Sequence, residues 1–160
     1  MSKEEKLVNL VAKIEWKRNR YRARHLVRVL EKAVREGRLD INSLKTSKNE
    51  KVRGIADTIE YLLLDEKSKA SYRFDGKYSG WGLYETLKGG VHNGEWALWF
   101  GKIGGNAVVN GEHAGKLAEF YDDSEASGNY AGRFARFYDD SEASGKNAGY
   151  KAEFLGKSHF

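Results

Sequence analysis

Apolar positions in the first part of the chain recur at helical spacing, and from residue 71 onward glycine and aromatic residues replace that pattern. Ser2-Lys-Glu-Glu5 has the form of a capping box, and Leu7, Leu10, Val11 and Ile14 follow it on one helical face. The stripe breaks across Trp16–His25 and resumes as Leu26, Val27, Leu30, Ala33 and Val34, with Gly37 placed to supply the positive φ of a C′ residue. Residues 3–36 therefore read as one long helix or as two helices meeting near Asn19. A second start signal, Ser47-Lys-Asn-Glu50, precedes Val52, Ile55, Ala56, Ile59, Leu62 and Leu63. That spacing predicts a helix over 49–67, packed antiparallel on residues 26–35 across a loop from Asp40 to Lys48.

The second part repeats. Phe120-Tyr-Asp-Asp-Ser-Glu-Ala-Ser-Gly128 returns unchanged as Phe137–Gly145, 17 residues later. Around it runs a G-x-x-x-G pattern, Gly76–Gly80, Gly90–Gly94, Gly111–Gly115, Gly128–Gly132 and Gly145–Gly149, whose starts lie 14, 21, 17 and 17 residues apart. The second glycine of each of the last four pairs opens a G-x-x-A-x-aromatic segment, with Ala97 and Trp99, Ala118 and Phe120, Ala135 and Phe137, and Ala152 and Phe154. In Arg133–Phe137 alternation puts Ala135 and Phe137 on one face and Phe134 and Arg136 on the other, which is a strand pattern with the constant alanine–aromatic face inward.

Two architectures fit about five such copies: a solenoid of stacked coils, or a run of antiparallel hairpins turning at Asp-Asp-Ser. A solenoid would stack Asp122 on Asp139, Asp123 on Asp140 and Glu125 on Glu142, a repulsion that water screens. By alignment Asn106 precedes Asp123, Lys157 follows Asp140 and His159 follows Glu142, so compensating residues flank the acidic centre. This favours the solenoid. The expected fold is thus α+β, with a basic helical region over 1–68 and a β-repeat domain over 70–160. The glycine- and aromatic-rich pattern of 76–160 resembles MORN-type repeats, which implies hairpin arrays that mostly act as scaffolds. The 17-residue period is shorter than that family's, and the tyrosine–glycine spacing departs from its pattern.

Charge separates the two parts. Residues 1–70 hold 18 Lys and Arg against 11 Asp and Glu, whereas residues 71–160 hold 10 against 12. The chain has no Cys, which excludes disulfides, thiolate catalysis and cysteine–metal sites. Gln and Pro are also absent and Met occurs once, a depletion that leans towards a thermophilic source. The charged N-terminus is unlike a signal peptide, and Tyr61–Leu64 is too short to span a bilayer, so a cytoplasmic location with no membrane contact is expected.

The candidate site is the basic stretch Trp16, Lys17, Arg18, Arg20, Tyr21, Arg22, Arg24 and Arg28. Arginine pairs with phosphate in bidentate fashion, and aromatics among arginines stack on bases, so the stretch suits RNA, DNA or an acidic protein surface. Its bland alternative is a solvated face paired with Glu15 and Glu31. The Asp-Asp-Ser-Glu turns lack the order of a calcium loop and read as solvated turns. His92 and His113, at one repeat position, lack a third metal ligand. No cofactor is implied. The expectation is a non-catalytic assembly or adaptor protein that forms homo-oligomers and uses its basic helix on nucleic acid or another acidic partner. One alternative is a purely structural self-assembling subunit, cellular or viral. The other is a glycan-binding protein or hydrolase using Trp81, Tyr84, Glu85, Glu95, Trp96, Trp99 and Phe100.

Overall fold

The computed structural model describes Lys6 and residues 20–158. The capping box at Ser2 and the stripe from Leu7 to Ile14 lie outside the described residues. Residues 20–71 hold four helices: α1 (Arg20–Arg35), α2 (Ile41–Lys45), α3 (Glu50–Leu62) and α4 (Glu66–Ser71). The stretch expected to be a loop contains α2, whose start is capped by the Asp40 carboxylate accepting from the Asn42 amide. Asn49, not Ser47, caps α3, accepting from the amides of Lys51 and Val52. Helix α3 ends at Leu62 rather than at 67, because Asp65 caps a separate helix by accepting from the Ser68 amide. Arg35 donates to the carbonyl of Leu62 at 3.1 Å. The C-terminal ends of α1 and α3 therefore meet, and the expected antiparallel packing does not form.

Residues 91–154 form a parallel β-solenoid. One sheet runs β1 (Val91–His92), β3 (Val108–Asn110), β5 (Glu125–Ser127) and β7 (Glu142–Ser144). The other runs β2 (Lys102–Ile103), β4 (Glu119–Phe120), β6 (Arg136–Phe137) and β8 (Glu153–Phe154). The register is 17 residues throughout, as in Val91 on Val108, Glu119 on Arg136 and Glu125 on Glu142. Coils, not the hairpins implied by the MORN resemblance, build the array. Inside, Phe120, Phe137 and Phe154 stack with centroids 4.6 and 4.9 Å apart, beside the buried alanines Ala97, Ala114, Ala131 and Ala148. The acidic ladder is structural: the Asp122 carboxylate accepts from the Gly105 amide and that of Asp139 from the Asp122 amide, at 3.0 and 3.1 Å.

The register revises two alignments. A Cβ on Gly111 would lie 2.8 Å from the carbonyl oxygen of Gly94, so Gly94 stacks under Gly111 and the Gly90–Gly94 pair is not a repeat unit. His92 then falls under Val109. His113 instead stacks between Trp96 and Tyr130, at 4.2 and 5.4 Å.

Helix α3 covers the first coil. In each later coil the residue at the Trp99 position accepts an amide from the coil before: Gly82 donates to Trp99, Phe100 to Lys116 and Leu117 to Arg133. Trp81, in the first coil, has no preceding coil, and the buried hydroxyl of Thr58 donates to its carbonyl at 2.9 Å. Gly54 permits this approach, since a Cβ there would lie 2.2 Å from the Tyr78 oxygen. Helices and coils share one hydrophobic core.

His92 is fully buried in that core, where its Nδ1 accepts from the Phe74 amide and its Nε2 faces the Gly89 carbonyl at 3.0 Å. The neutral ring protonated at Nε2 satisfies both contacts. Burial holds its pKa below the ordinary 6.5, with Arg73 adding to the effect and Asp75 opposing it. The unfolded chain therefore takes up a proton before the folded one does. Stability is full above pH ~6.5 and falls as pH drops below it. Thermal unfolding between pH 7.5 and 5.5 should show that decline, and His92→Asn should flatten it; an equal decline in the variant would assign the effect elsewhere.

Candidate nucleic-acid interface

Helix α1 lies along the solenoid, not across its end. Ala23, Val27, Leu30 and Ala33 recur on its buried face, together with two charged residues, Arg24 and Glu31. Near its C-terminal half, Tyr84 donates its hydroxyl to Glu31 and lies 4.5 Å under the Arg28 guanidinium. Further towards the N-terminus, Arg24 donates from Nε to the Phe100 carbonyl (3.0 Å), from Nη2 to that of Gly101 (2.9 Å) and from Nη1 to the Glu119 carboxylate (2.6 Å). Tyr21 comes close enough to influence Arg136 in the next coil. A helix turn rises about 5.4 Å and parallel strands stack about 4.8 Å apart, so each turn of α1 meets roughly the next coil.

The orientation sorts the sequence candidates. Arg24 is 4% exposed and committed to the solenoid, so it does not belong to an outward binding face: it sits on the apolar stripe. Tyr21, 66% exposed, and the exposed Arg22 and Arg28 face outward. Arg20 is the first described residue of the helix, and Trp16, Lys17 and Arg18 lie outside the described residues. His25 and Lys32 share the exposed side and were not singled out from the sequence. Their signal was the three- and four-residue spacing 22, 25, 28/29 and 32, hidden when the stretch is counted as one block. Arg35 is tied to Glu31 at 3.0 Å.

The aromatic cluster of 80–100 does not form one platform. Trp81 and Phe100 are buried, in edge-to-face contact at 5.6 Å. Tyr78, Trp96, His113 and Tyr130 form an outer ladder of stacked rings, and Trp99 lies tilted against Trp96. Lys51 and Lys116 lie over these tryptophans. Glu85 is bound by Lys69 at 2.9 Å, and the cleft of about 270 Å³ that it lines with Lys69 and Lys88 does not include Glu95. No described helix is long and apolar enough to cross a membrane. Comparison with known protein families, curated proteins and solved structures finds no match.

Proposed function

We propose that this chain is a non-catalytic assembly or adaptor protein, a rigid β-solenoid carrying a basic helix that contacts nucleic acid. The observation that carries the reading is the division of α1. Its inward arginine is neutralised by Glu119 at 2.6 Å, while Arg22, His25, Arg28 and Lys32 are held outward around an exposed tyrosine. Arg22, Arg28 and Lys32, cations along one exposed helix face, suit a phosphate backbone, and Tyr21 offers a ring for a base. An acidic protein surface would use the same cations but has no need of the ring.

The test is binding to labelled single- and double-stranded RNA and DNA at low and moderate salt. Binding should weaken steeply with salt. In the triple variant Arg22→Ala, Arg28→Ala, Lys32→Ala, affinity should drop at least about tenfold and the slope of log affinity against log salt become shallower by about two on single strands and nearly three on duplex. No binding by the folded protein, or equal binding by the variant, would remove the nucleic-acid reading.

A further inference from the structure

A line of cations runs along the corner of the solenoid that precedes the sheet bearing α1. Lys116 lies 4.9 Å from the ring centre of Trp96 and 5.3 Å from that of Trp99. Arg133, one coil on, lies 5.6 and 5.5 Å from Tyr130 and Tyr150, and Lys151 lies 5.5 Å from Tyr150. Lys51, from α3, extends the line to the first coil, 5.2 Å from Trp99. Parallel strands stack about 4.8 Å apart, so the line offers roughly one cation per coil. Among the described residues no carboxylate pairs with Lys51, Arg133 or Lys151. Glu95 and Glu112 border the line, the latter 3.7 Å from the His113 Nε2, and are outnumbered by the cations.

The same corner is short of acceptors. Trp99 Nε1, His113 Nδ1 and Arg133 Nε are buried without a hydrogen-bond partner among the described residues, and all three lie here. Two of them are obligate donors. Charge and hydrogen bonding both call for a ligand rich in acidic oxygens, either phosphate or carboxylate.

The rings decide between those two. A base needs an open ring face, and here the faces are taken. Trp96 stacks between Tyr78 and His113, at 5.9 and 4.2 Å, and Trp99 lies against Phe100 at 5.2 Å, with the cations over the remaining rings. The spacing suits a helix instead. On the neighbouring sheet α1 lies along the solenoid with about one 5.4 Å turn per coil, and its tie is the pair of Arg24 with Glu119. The corner has the reciprocal form, with the cations on the solenoid. A cation already held over a ring also loses little freedom when it pairs.

We infer that this corner docks an amphipathic helix of a partner protein that carries a glutamate or aspartate at each turn of one face. Together with α1 it would let the chain hold nucleic acid on one surface and an acidic protein on another. The inference stands on the corner alone and survives failure of the nucleic-acid reading.

The probe is a labelled, alanine-based helical peptide with glutamates at i, i+4, i+7 and i+11, titrated with the full chain at low salt and followed by anisotropy. A control peptide of the same composition spreads the glutamates around the helix. The first should bind with a dissociation constant of about 10–100 μM, and the control at least about fivefold more weakly. In the variant Lys51→Gln, Arg133→Gln, Lys151→Gln the affinity should fall about tenfold, a factor of about two for each exposed pair lost. The α1 variant Arg22→Ala, Arg28→Ala, Lys32→Ala should keep the parent's affinity for the peptide within about twofold. A peptide with lysines in place of the glutamates should prefer the Arg133→Glu, Lys151→Glu protein to the parent, which separates a lost contact from a lost fold. No binding, equal affinity for the two glutamate peptides, or equal binding by the Gln variant overturns the inference. A Gln variant that loses as much affinity for RNA or DNA as the α1 variant does would assign the corner to nucleic acid and overturns it too.

Discussion

Replacing Glu119 by alanine is expected to destabilise the protein by about 3–5 kcal/mol, the usual result of leaving one member of a buried ion pair uncompensated. Arg24 and Glu119 are 4% and 5% exposed. Without the carboxylate, the guanidinium keeps the Phe100 and Gly101 carbonyls, which are dipoles and do not neutralise a charge held away from water. The Tyr121 hydroxyl, which donates to Glu119 at 3.1 Å, also loses its acceptor. Burial, the largest influence on that phenol, raises its pKa and persists in the variant, so it stays protonated at neutral pH and cannot compensate. Urea unfolding at neutral pH measures the loss. The double variant Arg24→Met, Glu119→Leu should regain most of it, because apolar residues of similar volume avoid desolvating either charge. A Glu119→Ala protein within 1 kcal/mol of the parent would mean that the pair does not hold α1 on the solenoid. The result also bears on function, since an Arg24 variant would weaken ligand binding by loosening the helix and not by removing a contact.

Arg24 illustrates what was legible in the sequence and what was not. All the arginines between 18 and 28 look alike when read as composition. Arg24 stands out only by its place beside Ala23 and three residues before Val27, on the stripe that faces inward, where a charge implies a buried partner. That partner, 95 residues away, leaves no local mark. The solenoid was readable because Phe120–Gly128 recurs intact at Phe137–Gly145, and because Asn106 and Lys157 flank the acidic positions in the repeat alignment. Its backbone was not. His113, Gly115 and Leu117, and their equivalents Tyr130, Gly132 and Phe134, have left-handed φ of 57–70°, and large side chains give no local warning of that conformation. Their amides are fixed by bonds to neighbouring coils, for instance His113 to Asn129 and Leu117 to Arg133, so tertiary stacking overrides the local preference. Gly90 was misread because it stands four residues before Gly94 and imitates the repeat pair within the irregular first turn.

The corner glycines carry the second large effect: Gly128→Ala should destabilise the fold by about 3 kcal/mol or more. Gly128 has φ of 117°, outside the left-handed region that non-glycine residues here adopt. A Cβ would also lie 2.9 Å from the oxygen and 3.1 Å from the nitrogen of Gly111, both backbone atoms with no rotamer to change. Relief requires the coils to part locally, which strains the bonds from Gly111 to Ser127 and from Gly128 to Ser144. Gly37→Ala supplies the comparison. Gly37 also has positive φ, 73°, but a Cβ there meets nothing within 4 Å, so its cost is the conformational part alone, about 1 kcal/mol. Denaturant titration of both variants separates the two contributions. A Gly128→Ala protein no less stable than Gly37→Ala would show that the coils tolerate a methyl at the corner, and close stacking of Gly94, Gly111, Gly128 and Gly145 would not be what sets the spacing of the solenoid.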